Sequence, residues 1–67
     1  MCEFTVYLDG HEDDNIVADK VIKATVKPEH VALMNVEGNV IKIPKAAITK
    51  VDTIMAELWL ASERRWT

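Results

Sequence analysis

The chain has 67 residues, enough for one domain over residues 1–67, and a core of that size buries only ~60% of the surface the unfolded chain exposes. Hydrophobic residues at 49% exclude a disordered chain, and a single cysteine excludes a disulfide framework within it. The net charge of −3, with Lys20, Lys23, Lys27, Lys42, Lys45, Lys50, Arg64 and Arg65 scattered along the sequence, weighs against a nucleic-acid partner without excluding one.

The opening residues alternate. Cys2, Phe4, Val6 and Leu8 fall on one side and Glu3, Thr5 and Tyr7 on the other, the pattern of a half-buried strand. Asp9-Gly10 opens a polar loop through His11, Glu12, Asp13, Asp14 and Asn15. The run from Ile16 to Lys27 predicts a strand with Ile22, Ala24 and Val26 on one face, ended by Pro28. Val31 to Val36 predicts a short strand, Glu37-Gly38-Asn39 a tight hairpin turn, and Val40 to Ile43 the returning strand. After Pro44, residues 44–47 are too short for a stable α-helix and predict a 3₁₀ turn. Ile48 to Val51 reads as another strand. For residues 53–65 a helix competes, because Ala, Glu, Leu and Met favour one. The alternation of Ile54, Ala56, Leu58 and Leu60 with Met55, Glu57 and Trp59 favours a strand.

Five or six short strands joined by tight turns predict an all-β fold, a small antiparallel barrel. Strict alternation would turn Tyr7, Val21 and Trp59 away from the core, where they read either as scattered surface hydrophobes or as a contact surface such as a subunit interface. No secretory leader is visible at the N-terminus, and no apolar run approaches the ~20 residues that cross a bilayer, so the expectation is a cytoplasmic protein with no membrane partner. A reducing compartment would keep the free cysteine a thiol.

Most chemistry is disfavoured by the inventory of residues. Two glycines, Gly10 and Gly38, cannot build a phosphate-cradling loop, and Ser62 is the one serine. The Asp9–Asn15 loop fails the EF-hand pattern, since Asp14 stands where glycine is needed and no glutamate closes it; it reads as an acidic turn. His11 and His30 each fall in predicted turns and read as solvated side chains. With no CxxC and no HxxxH, a zinc site within one chain is disfavoured. An enzyme with Cys2 as nucleophile would need a histidine beside it, and the sequence places neither there, so catalytic residues are not expected.

Cys2 has two readings. It continues the Phe4, Val6, Leu8 series and could pack as a small hydrophobe. It also lies at the amino terminus. If Met1 is removed, the α-amine and thiolate of one residue can chelate a metal; if Met1 stays, a deprotonated backbone nitrogen could serve. One chain then offers one sulfur and one nitrogen, and four ligands require two chains around a twofold axis. Planar coordination of that kind suits Ni(II) or Cu(II), and tetrahedral coordination Zn(II).

Met1-Cys2 before an alternating strand, the compact length, and the stretch Ile43-Pro44-Lys45-Ala46-Ala47-Ile48-Thr49-Lys50-Val51-Asp52 together resemble the CooT family, small proteins associated with carbon monoxide dehydrogenase maturation. The resemblance covers most of the chain. It implies an SH3-like or Sm-like small barrel, a homodimer, and one nickel held between subunits through Cys2, for storage or delivery to a metalloenzyme client. Cys2 is the one residue whose role carries over. The acidic loop with His11 has no counterpart in this reading. Parts of the family carry the label "predicted RNA-binding protein", so a non-catalytic barrel that binds RNA or a protein is the alternative; its RNA-binding residues are not identifiable from sequence.

Overall fold

The structure is a computed structural model that describes residues 3–62. Six strands make up one sheet: β1 (Phe4–Leu8), β2 (Ile16–Val26), β3 (His30–Asn35), β4 (Val40–Pro44), β5 (Ala46–Asp52) and β6 (Glu57–Ser62). Their spatial order is β4-β3-β2-β1-β6-β5. Neighbours are antiparallel except β1 and β6, which run parallel. The expected all-β fold of short strands is therefore present, with that one parallel pair as a departure from a wholly antiparallel ladder.

The two edge strands, β4 and β5, are consecutive in sequence and separated by Lys45 alone. A sheet whose opposite edges are one residue apart must curl until those edges nearly meet. Lys45 makes this corner with a positive φ of 52°, and its N–H donates to the Glu29 carbonyl at 3.0 Å, tying the corner to the β2–β3 turn. The curl is barrel-like, but β4 and β5 are not hydrogen-bonded neighbours, so the barrel is not closed. The 3₁₀ turn predicted at residues 44–47 is absent for the same reason: Lys45 turns the chain by itself. The 3₁₀ turn that does occur is at Asp13–Asn15 in the polar loop.

The inward side of the curl holds a core of Val6, Ala18, Val21, Val31, Leu33, Ile43, Ala46, Leu58 and Leu60, with Phe4, Leu8, Val17 and Ile48 packed against it. Alternation predicts the inward residues of β1 and β6 correctly; in β3, where apolar residues occupy both faces, the structure turns Val31 and Leu33 inward. It fails in β2. Val21, expected to face away, is 2% exposed. The cause is an extra residue. Phe4 pairs with Val21 but Val6 with Ala18, so three steps on β2 match two on β1. Lys20, at φ 53°, absorbs the surplus and bends the strand. A second irregularity follows, with Val21 opposite Asn35 and Lys23 opposite Met34, leaving Ile22 unpaired with β3. Ala24 and Val26 then lie opposite buried Leu33 and Val31, on the inward side, yet both are exposed because the open sheet leaves them uncovered.

Two turns have side-chain anchors. Asn35 Oδ1 accepts from the N–H groups of Glu37 and Asn39, both at 3.0 Å, and Gly38 takes the positive φ of 87° that the hairpin needs. Asp52 Oδ1 accepts from the N–H groups of Ile54 and Met55, both at 3.0 Å. Thr53–Ala56 is thus a turn, and the strand expected over 53–65 begins at Glu57; residues 63–65 lie outside the described residues. Among the described residues, no helix is long and apolar enough to cross a membrane.

Candidate functional site

Cys2, the expected metal ligand, lies outside the described residues. β1 is central, with β2 on one side and β6 on the other, and Phe4 opposite Val21 is its first paired residue. Because β1 and β6 are parallel, the β5–β6 turn stands at the same end as the start of β1: the Thr5 N–H donates to the Ala56 carbonyl at 2.9 Å. That end of the sheet carries an open, mostly apolar cleft of about 250 Å³, lined by Phe4, Val21, Ile22, Lys23, Ala24, Ile48, Val51 and Leu58. Val51 sits opposite buried Leu58, on the inward side, and is 58% exposed. The turn adds Ile54 at 92% and Met55 at 64% exposure.

A second cluster occupies the outer side of β1 and β6. Tyr7 and Trp59 are register partners and point away from the core, as alternation predicts. The polar loop folds back over them. The His11 ring stacks on Trp59 with centroids 4.4 Å apart and an interplanar angle of 27°, and lies 4.7 Å from the Tyr7 ring. Its Nε2 is 3.0 Å from Glu57 Oε1, a bond that the Nε2-protonated ring donates; Trp59 Nε1 donates to the same oxygen at 3.2 Å. Lys50 Nζ lies 4.5 Å from the Trp59 ring centroid. Partial burial of the Tyr7 phenol, then the carboxylates of Glu57 and Asp13, push its pKa above the usual tyrosine value.

His11 is therefore not the freely solvated turn residue expected from sequence. The signal for its role is long-range: the parallel pairing of β1 with β6 brings Glu57 and Trp59 to it, and no local motif announces that pairing. His30 likewise is not in a turn; it begins β3, half-buried and opposite Pro44. The acidic turn reading of the Asp9–Asn15 loop stands. Asn15 organises it, accepting the Glu12 N–H at Oδ1 and donating from Nδ2 to the Leu8 carbonyl, each at 3.1 Å. Asp9, at φ 60°, accepts the Ser62 N–H at 2.8 Å. No group of three or more His, Cys, Asp or Glu side chains among the described residues could hold a metal ion.

No curated protein matches the chain. A family model does match, over residues 1–60, and it is described as CO dehydrogenase accessory protein CooT. That span takes in Cys2, all of β1 to β5 and most of β6. The chain belongs to the CooT family of CO dehydrogenase accessory proteins.

Proposed function

We propose that this protein is a non-catalytic nickel-binding accessory protein of the cytoplasm, which holds Ni(II) as cargo between two copies of the chain through Cys2 and stores it or passes it to a metalloenzyme client. The observation that carries this reading is the family match, which includes Cys2, in a chain whose one thiol is that residue. The donor inventory supports sharing. A single chain contributes one sulfur, and the described residues offer no cluster of three donors to complete a site around it. Two chains double the thiolates and bring two N-terminal nitrogens, a soft and borderline donor set suited to Ni(II), with Cu(II) and Zn(II) as competitors.

The alternative of an RNA-binding barrel had its motive in outward Tyr7 and Trp59 with scattered lysines. Those rings are engaged within the chain by His11, Glu57 and Lys50, which weakens their case as a base-stacking platform.

The test is an anaerobic Ni(II) titration of the full chain, read by thiolate-to-metal absorption and by mass of the complex. The expected endpoint is one Ni(II) per two chains, lost in Cys2→Ser. An endpoint of one metal per chain, or equal binding by Cys2→Ser, would overturn the shared site.

A further inference from the structure

We infer that the edge strand β4 and the outer side of β2 and β3 beside it form a docking surface for an extended acidic polypeptide segment, which adds to the sheet as a strand next to β4. Folding gathers here charge that the sequence scatters. Val31 and Leu33 turn inward, so His30, Ala32 and Met34 stand on the outer side of β3. Register carries that side to both neighbours. Lys23, Thr25 and Lys27 lie opposite Met34, Ala32 and His30, and Val40 and Lys42 lie opposite Met34 and Ala32. Along the stretch where the three strands pair, this side carries Lys23, Lys27 and Lys42 and no carboxylate, in a chain whose net charge is −3. Asp19 lies beyond it, where β2 pairs with β1. The three lysines are exposed, and none is in an ion pair among the described residues. A shallow groove of about 110 Å³ runs between the strands, lined by Lys23, Thr25, Ala32, Leu33, Met34 and Val40. Pockets for small-molecule ligands run about 300–1,000 Å³, so this one fits a side chain rather than a ligand.

The backbone of β4 says what kind of partner fits. β4 has β3 on one side and no hydrogen-bonded strand on the other. Just before and just after it, the Asn35 N–H donates to the Asn39 carbonyl and the Lys45 N–H to the Glu29 carbonyl, each at 3.0 Å. In an antiparallel ladder every second residue faces its partner strand, so Ile41 and Ile43 turn their backbone groups to β3 and those of Val40 and Lys42 point to the open edge. Val40, Ile41 and Lys42 are all exposed. An extended polypeptide can bond to such an edge, and a nucleic acid has no matching ladder. The groove also has no aromatic ring on which a base could stack, since Tyr7 and Trp59 belong to β1 and β6. Lys42 and Pro44 on an edge would by themselves read as a guard against unwanted sheet pairing. Lys23 and Lys27 lie across β3 from that edge, where no guard is needed, and they extend the same sign of charge over the groove. The edge of a second copy brings its own Lys42 and is repelled, whereas a strand with carboxylates is attracted. Side chains of an added strand alternate, so a carboxylate beside Lys42 and an aliphatic residue beside Val40 fall two positions apart in the partner.

The test is selection of a random peptide library, displayed on phage, against the immobilised full chain as wild type, as Lys23→Glu/Lys42→Glu and as the control Lys50→Gln. Lys50 lies on β5 against the Trp59 ring, away from the groove. Lys23 and Lys42 are exposed and make no ion pair, so the double variant should keep its circular dichroism spectrum. Wild type and Lys50→Gln should both enrich peptides with Asp or Glu two positions from an aliphatic residue. Those peptides should bind the double variant about tenfold or more weakly, and added salt should weaken them on wild type. The double variant should enrich basic peptides instead. Bound peptide should slow hydrogen exchange at the Val40 and Lys42 amides. No enrichment over the bare support, enrichment of peptides without carboxylates, or equal affinity for the double variant would overturn the surface. Acidic peptides that bind without slowing exchange at those two amides would overturn strand addition. Single-stranded oligo(U) or oligo(A) that binds wild type more tightly than any selected peptide, and is lost in the double variant, would overturn a polypeptide as the occupant.

Discussion

Removing the His11 ring takes away the stack on Trp59, the contact with Tyr7 and one of the two hydrogen bonds at Glu57 Oε1. The cluster is half-exposed, so His11→Ala should cost about 1 kcal/mol, the scale of one aromatic pair or one net hydrogen bond. Urea unfolding in a Trp66→Phe background, read by Trp59 fluorescence, measures it; an unchanged midpoint would show that the stack adds nothing. The Tyr7 phenol gives a second handle. Partial burial and the nearby carboxylates hold its proton more tightly in the folded chain than in the unfolded one. Stability from this group is therefore intact below the ordinary tyrosine pKa, about 10, and falls as pH rises through the higher folded value. Glu57→Gln should lower the folded value, and ultraviolet titration at the tyrosinate band would detect it. Gly10 is a third case. A Cβ there would stand 2.5 Å from Asn15 Oδ1, the atom that accepts the Glu12 N–H. Gly10→Ala should cost about 1–3 kcal/mol by crowding, and most of that cost should vanish in an Asn15→Ala background. Equal costs in both backgrounds would contradict the steric account.

Among the elements, β2 decides how far the sequence can be read. Alternation identifies the inward residues of β1 and β6 because those strands keep a strict period of two, whereas β3 carries apolar residues on both faces and gives no such signal. It misplaces Val21 because one inserted residue shifts the alternation there until the second irregularity at Ile22 restores it, and the insertion depends on a positive φ at Lys20 that its residue type does not advertise. The helix-or-strand ambiguity after residue 53 has a similar origin: the apolar Ile54 and Met55 extend the period of β6 into a turn that Asp52 fixes. The Lys45 corner could not be read either, since it follows from closure of the whole sheet. For the candidate site, Cys2 was legible as the chain's single thiol, whereas the apolar cleft lined by Phe4 and Leu58 was not. That cleft is assembled from β1, β2, β5 and β6, which only the sheet order brings together. A left-handed residue with a Cβ is strained by about 1–2 kcal/mol. Lys20→Gly relieves that strain but frees the unfolded chain, so thermal unfolding should show a neutral to slightly stabilised protein, while Lys20→Val should be destabilised by more than about 1 kcal/mol. The reverse order would mean that Lys20 does not set the bend.

For the molecule as a whole, the core and the proposed pairing are linked. Among the described residues the core comprises nine buried side chains, all apolar, in a sheet whose edges do not close. Val6, Val31 and Leu33 are its most buried side chains, and Leu33→Ala should cost about 2–5 kcal/mol, enough to threaten folding of so small a chain. If two copies share the metal, part of the stability that a closed barrel would hold within one chain resides between two. Binding that favours the folded form raises apparent stability by mass action, so the midpoint of thermal unfolding should rise with protein concentration. Ni(II) bound across the pair should raise it further at fixed concentration, and Cys2→Ser should remove the nickel increment alone. Calorimetry over a wide concentration range separates these cases: a midpoint that does not move with wild-type concentration would mean that each chain is stable by itself.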